Sequence, residues 1–162
     1  MKKDIPQLLE SSMVGTTIPA ETMVARLLQH ESQIPDKVIY RLLEDGINES
    51  ANITYGEMVE KAKAVAAKLQ ELGKKGDRVL LLFPTGIEFI TSFYASLFAG
   101  MIAVPTYPPK RNKANERFRS IVNDSGPAFI LSTKDINEDL EKYDLLQGLP
   151  GDYRKLVYED IP

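Results

Sequence analysis

The 162-residue chain contains no cysteine. A disulfide scaffold, a thiolate zinc site and a cysteine nucleophile are excluded together, and a reducing compartment is compatible. Histidine is nearly absent: His30 is the single one. It falls inside a predicted helix with no carboxylate at a partner spacing, so surface or packing duty outweighs general-base work, which needs an oriented partner. No secretory signal opens the chain, because Met1-Lys2-Lys3-Asp4 is followed by no apolar run. Residues 86 to 104 come nearest to a membrane span, but Glu88, Thr91, Ser92 and Ser96 interrupt them and Gly100 divides them, so a buried helix is expected instead.

An excess of positive charge is also lacking. With 20 basic and 23 acidic residues the net charge is −3, which gives no electrostatic footing for nucleic acid. The one basic cluster, Lys110-Arg111-Asn112-Lys113 with Arg117 and Arg119, reads first as a solvated loop and helix face. Missing too are a Gly-x-x-x-x-Gly-Lys-Ser/Thr phosphate loop, Gly-x-Gly-x-x-Gly, a Gly-x-Ser-x-Gly elbow and His-Glu-x-x-His. Asp135, Glu138, Asp139 and Glu141 lack the ligand spacing of a calcium loop and read as a solvated acidic face.

What is present is an ordinary globular composition, 43% hydrophobic and 27% charged, long enough for one core of its own. Helical and extended patterns alternate, the sign of an α/β layer architecture with a largely parallel sheet flanked by helices. Residues 1–18 have weak periodicity and are expected to be an arm. A first helix is expected over 19–33, with Met23, Leu27 and Leu28 on its inner face, then a strand over 38–43 closed by Glu44-Asp45-Gly46. Thr54 and Glu57 have capping-box spacing, and Met58, Ala62, Val65, Leu69 and Leu72 form one apolar stripe behind them, with Gly73 placed to end the helix. Arg78 to Phe83 reads as a strand covered on both faces.

The stretch from Gly86 to Pro109 carries the most information. It reads as a helix wrapped by Ile87, Phe89, Ile90, Phe93, Tyr94, Leu97 and Phe98 and therefore buried on several sides, then the Gly100 turn, a strand Ile102-Ala103-Val104 stopped by Pro105, and a rigid Pro108-Pro109 exit. Pro84-Thr85-Gly86 is a strand-to-helix junction, where ligands collect in doubly wound sheets, although helix capping is a sufficient role for Thr85. A helix over 115–123 should point Phe118, Ile121 and Val122 inward; strands are expected over 128–131 and 156–158, with Thr133 capping a polar helix between them.

Four segments, in order, resemble the N-terminal region of adenylate-forming enzymes: Ile53-Thr54-Tyr55-Gly56-Glu57-Met58, Lys75-Gly76-Asp77-Arg78-Val79-Leu80-Leu81-Leu82, Gly86 to Gly100, and Ala103-Val104-Pro105-Thr106-Tyr107-Pro108-Pro109. The Tyr-Pro-Pro exit is similar to that of the fatty acyl-AMP ligases. The resemblance implies that residues 19–162 are an incomplete N-terminal subdomain, truncated before the phosphate loop. The intact enzyme would use ATP and Mg2+ to activate a fatty acid as its acyl-adenylate, then pass it to the phosphopantetheine thiol of an acyl carrier protein in the cytoplasm. Its catalytic, cofactor and metal residues would lie beyond Pro162, leaving this fragment inactive alone and prone to self-association through exposed apolar surface.

Two alternatives stay open: part of an acyl-CoA synthetase or amino-acid adenylating domain, and a non-catalytic module docking a carrier protein through the loop around Arg111. Within the chain, Tyr107, Tyr94 and Phe93 are the candidates to border an acyl slot, since aromatic side chains line apolar pockets and a tyrosine hydroxyl adds a polar handle. Core packing is the competing role for Phe93.

Overall fold

The computed structural model describes residues 22–43, 45–111 and 115–162. The expected arm at 1–18, and the first residues of the helix expected from 19, lie outside them. The chain divides into two compact units at Glu60/Lys61.

The first unit holds helix α1 (Met23–Gln33) and an antiparallel pair, β1 (Val38–Leu43) with β2 (Glu49–Thr54). Thr22 caps α1, its hydroxyl accepting from the Ala25 N–H at 3.1 Å. The inner face of α1 is Val24, Ala25 and Leu27; Met23, expected inside, is 53% exposed. A helix starting at Met23 faces its first side chain outward, so the apolar stripe begins one residue later. Strand β2 has no apolar run in Glu-Ser-Ala-Asn-Ile-Thr and was not legible; it exists because β1 offers it a ladder and because the turn between them is well tied. There the Asp45 carboxylate accepts from the backbone N–H groups of Ile47 (2.9 Å) and Asn48 (2.7 Å). Those bonds, Asn48 first, hold Asp45 down to about 2.

Helix α2 (Tyr55–Leu72) opens with the anticipated capping box. Glu57 accepts from the Thr54 N–H at 2.9 Å, and the Thr54 hydroxyl accepts from the Glu57 N–H at 3.2 Å. Met58, Ala62, Val65 and Leu69 are buried along its inner stripe.

The second unit is built on a four-stranded, all-parallel sheet of β3 (Arg78–Leu82), β4 (Ile102–Thr106), β5 (Phe129–Ser132) and β6 (Arg154–Val157), in the order β4-β3-β5-β6. Helices α3 (Ile87–Phe98), α4 (Glu116–Ser125) and α5 (Lys134–Lys142) make the crossovers, and a 3-10 turn (Tyr158–Asp160) follows β6. Leu80, Leu82 and Ile130 pack with Phe118, Val122 and Leu140 into one core layer. The alternate residues Val79, Leu81, Phe129 and Leu131 are equally buried, as the period of two requires when both faces are covered.

Two expectations are corrected in this unit. Apart from Phe98, helix α3 is not buried through its large side chains. Thr91, Ser92, Ala95, Ser96 and Phe98 are its buried positions, while Phe89, Ile90, Phe93, Tyr94 and Leu97 are only half-buried. Small side chains let the helix axis approach closely. The Thr91 and Ser96 hydroxyls donate to the Ile87 and Ser92 carbonyls (2.8 and 2.9 Å), which makes those polar groups tolerable inside. Pro105 does not end β4 either: it pairs in register with Leu81, and the strand runs to Thr106 opposite Leu82. Strand β4 is an edge, where a proline's missing N–H can face away from the ladder.

Boundaries elsewhere shift by one or two residues. Helix α4 extends to Ser125, β5 runs one residue later than expected, and the last strand is Arg154–Val157, with Tyr158 passing into the 3-10 turn. Thr133 caps α5 as anticipated, accepting from the Ile136 N–H at 3.4 Å. The Gly100 turn is also as read, with φ +70° in the left-handed region that glycine enters freely.

Candidate functional site

A cavity of about 550 Å3 opens at the carboxyl edge of the sheet, beyond β3 and β4. This is the edge at which doubly wound sheets bind ligands. The β3-to-α3 junction supplies Phe83, Pro84 and Thr85, α3 adds Phe89, and the exit of β4 supplies the run from Pro105 to Lys110. Helix α4 closes the other side with Phe118 and Ile121. The interior is mainly aromatic, aliphatic and proline carbon, with a polar rim that includes Lys110, Asn115, Glu116 and Arg117.

The rim is fastened in a specific way. The Asn115 side-chain oxygen accepts from the Lys110 backbone N–H at 2.8 Å, and the Asn115 amide nitrogen donates to the Lys110 carbonyl at 2.9 Å. Arg111, next along, lies over the Tyr143 ring with its guanidinium carbon 4.1 Å from the centroid. Behind the cavity, Phe83 meets Tyr158 edge-on at 6.3 Å. Burial pushes the Tyr158 phenol up; a hydrogen bond with Thr91 opposes this, and the charges of Glu88 and Glu159 add to it.

Tyr107 lines this cavity and is 81% exposed at its mouth. Phe93 and Tyr94 are not among the lining residues; they pair edge-to-face on α3 with centroids 6.0 Å apart. Thr85 lines the cavity and does not cap α3: Gly86 holds the N-cap position with no side-chain bond. The contributions of Phe118, Ile121 and Asn115 were not legible as site residues. Phe118 and Ile121 carry the same apolar signal as any inward helix face, and Asn115 signals only a helix start.

Among the described residues no three His, Asp or Glu side chains stand close enough to hold a metal ion. Of the acidic face on α5, Glu141 is bound to Lys155 at 2.6 Å, and that bond lowers its pKa. His30 sits 5.2 Å from the Tyr55 ring, a packing contact. No helix among the described residues is long and apolar enough to cross a membrane.

A parallel doubly wound sheet with an apolar cavity at its carboxyl edge defines the class of protein. The profile of the AMP-binding enzymes matches residues 28–159, and the chain belongs to that family. It is 34% identical over 115 residues to the 4-hydroxyphenylalkanoate adenylyltransferase of Mycobacterium marinum, covering 69% of this chain and 18% of that protein. With the medium-chain-fatty-acid–[acyl-carrier-protein] ligase JamA of Moorena producens it shares 32% identity over 133 residues, 80% of this chain and 22% of the other. The structure of a fatty acyl-adenylate ligase from L. pneumophila, in complex with acyl adenylate and pyrophosphate, superposes with a TM-score of 0.73 at 34% identity, covering 86% of this chain and 23% of that one. The chain therefore spans about a fifth of the length of these relatives.

Proposed function

We propose that this chain is the N-terminal part of a fatty acyl-AMP ligase, and that its cavity receives part of the acyl chain. The carrying observation is that the Pro105–Pro109 exit, the segment most like the fatty acyl-AMP ligases, forms one wall of an apolar cavity at the ligand-binding edge of the sheet. In the reaction, a carboxylate oxygen of the fatty acid attacks the α-phosphate of ATP, giving acyl-adenylate and releasing pyrophosphate. A phosphopantetheine thiol then attacks the acyl carbonyl and AMP leaves. Mg2+ would offset phosphate charge in that step.

The part played by this chain is binding and orientation. Phe83, Phe89, Phe118 and Ile121 exclude water from the cavity, and Tyr107 stands at its mouth. Phe93 and Tyr94 stand apart from this cavity along α3, where they are half-buried and would border the acyl chain only if it ran along that helix. An acyl carrier protein as acceptor and a cytoplasmic setting complete the proposal: the reaction consumes ATP, and JamA is a ligase acting on a carrier protein. Residues 1–162 alone are expected to be inactive and to self-associate through the β4 edge, where Ile102 is 50% exposed.

The test is fatty-acid-dependent acyl-adenylate formation by the protein extended through its native downstream sequence, with and without CoA. Acyl-AMP that accumulates in the presence of CoA supports the ligase. Acyl-CoA would move the protein to the synthetases, and turnover by residues 1–162 alone would overturn the assignment of the catalytic groups.

A further inference from the structure

We infer that Asn115 is a positioning residue that sets the shape of the acyl cavity, an inference that rests on the fatty acyl-AMP ligase reading. The cavity has two kinds of wall. Phe118 and Ile121 sit on helix α4, packed against the core layer, and Phe83, directly after β3, is buried. The wall from Tyr107 to Lys110 sits on an exit segment after the last ladder pair, Leu82 with Thr106, so no sheet bond fixes it. Two prolines stiffen that segment internally, Pro109 is buried, and Arg111 just beyond it lies over the Tyr143 ring, but none of these hydrogen-bonds the segment to α4.

The hydrogen-bonded link to α4 is the Asn115 side chain. Its amide meets both the N–H and the carbonyl of Lys110, as a neighbouring strand would, and so fixes the two peptide groups that flank that residue. Asn115 in turn belongs to α4: its carbonyl accepts from the Arg119 N–H at 3.0 Å, in the first turn of the helix that carries Phe118 and Ile121. One side chain thus hydrogen-bonds the exit wall to the helical one. The residue type is constrained twice. The backbone is left-handed, φ 47°, which asparagine tolerates better than most residues. A primary amide carries its donor and its acceptor on two separate atoms side by side, which the single oxygen of an equally short hydroxyl side chain does not.

The two requirements separate experimentally. Asn115→Gly keeps the left-handed backbone and removes both bonds. Asn115→Asp keeps an acceptor for the Lys110 N–H and loses the donor. In the full-length protein, steady-state kinetics are measured across a series of saturated fatty acids, together with the KM for ATP and thermal stability. Losing two hydrogen bonds that hold one cavity wall should raise the fatty-acid KM of Asn115→Gly by roughly tenfold. The chain-length profile should broaden, the KM for ATP should not move, and Asn115→Asp should fall between wild type and Asn115→Gly. A fatty-acid KM and profile unchanged in Asn115→Gly, with only the melting temperature lowered, would overturn the inference and leave the ligase reading intact. A wild-type protein that adenylates no fatty acid would remove the reading and this inference with it.

Discussion

Gly73 lies directly against the ring of Phe129. A Cβ built on Gly73 would come within 2.5 Å of Phe129 Cε2, and within 2.9 Å of the Asp77 carboxylate. The glycine that follows α2 is therefore there for close approach, with its N–H still bonded to the Leu69 carbonyl at 2.9 Å. Phe129 is 1% exposed in the centre of the sheet and has little room to retreat. Gly73→Ala should destabilise the fold by about 1–3 kcal/mol, the range for overpacking a filled core. Chemical denaturation of the full-length protein checks this, and Phe129→Leu placed in the Gly73→Ala background should recover part of the loss.

The capping box between Thr54 and Glu57 is reciprocal, so its two halves should not add. Thr54→Ala and Glu57→Ala should each cost about 0.5–2 kcal/mol, and the double variant less than their sum. Equality of the double variant with the sum, in a cycle of denaturation midpoints, would show that the two side chains act separately.

Asp45 makes the β1–β2 turn sensitive to acid. Its folded-state pKa of about 2 lies below the ordinary value of 3.8, so its contribution is present above 3.8 and fades as pH falls through the folded value. The carboxylate should titrate near 2 by NMR. Protection of the Ile47 and Asn48 amides from exchange should weaken over the same window, and Asp45→Ala should abolish that step. A titration midpoint near 3.8 would mean the turn bonds do not hold in solution.

Tyr107 and Phe93 should separate by readout. Tyr107→Ala, at the cavity mouth, should raise the fatty-acid KM of the full-length enzyme several-fold with little change in melting temperature. Phe93→Ala, half-buried beside Tyr94, should lower stability first. Equal KM effects from both would place the acyl chain along α3 and away from the cavity described here.

Ile102 is half exposed at the start of the edge strand β4, three residues before the in-register Pro105. Sedimentation of residues 1–162 alone should show concentration-dependent association, and Ile102→Lys should reduce it, because a charge on an edge opposes pairing with another strand. Monomers of the unsubstituted chain at all concentrations would remove the proposed self-association.

Much of the architecture was legible in local sequence. The Thr54/Glu57 box, the Thr133 cap and the Gly100 turn depend on side chains three or four positions apart or on one backbone conformation. Strands β3 and β5 announced themselves because both of their faces are buried and their residues are correspondingly apolar. Local chemistry determines such features, so no distant partner is needed to see them.

Other features were decided by the tertiary structure. Strand β2 is polar and becomes a strand only against β1. Pro105 stays within β4 only because that strand is an edge. The inner face of α3 is its small, partly hydroxylated side, since closeness of approach, and not hydrophobicity alone, selected it. The site divides in the same way: the exit with Tyr107 was marked by its prolines, but Phe118, Ile121 and Asn115 reach it from α4. Sequence by itself determined the Thr54/Glu57 and Thr133 caps, the core strands and the family resemblance; which side chains share a cavity was set by strand order and helix packing, which join residues that local spacing does not relate.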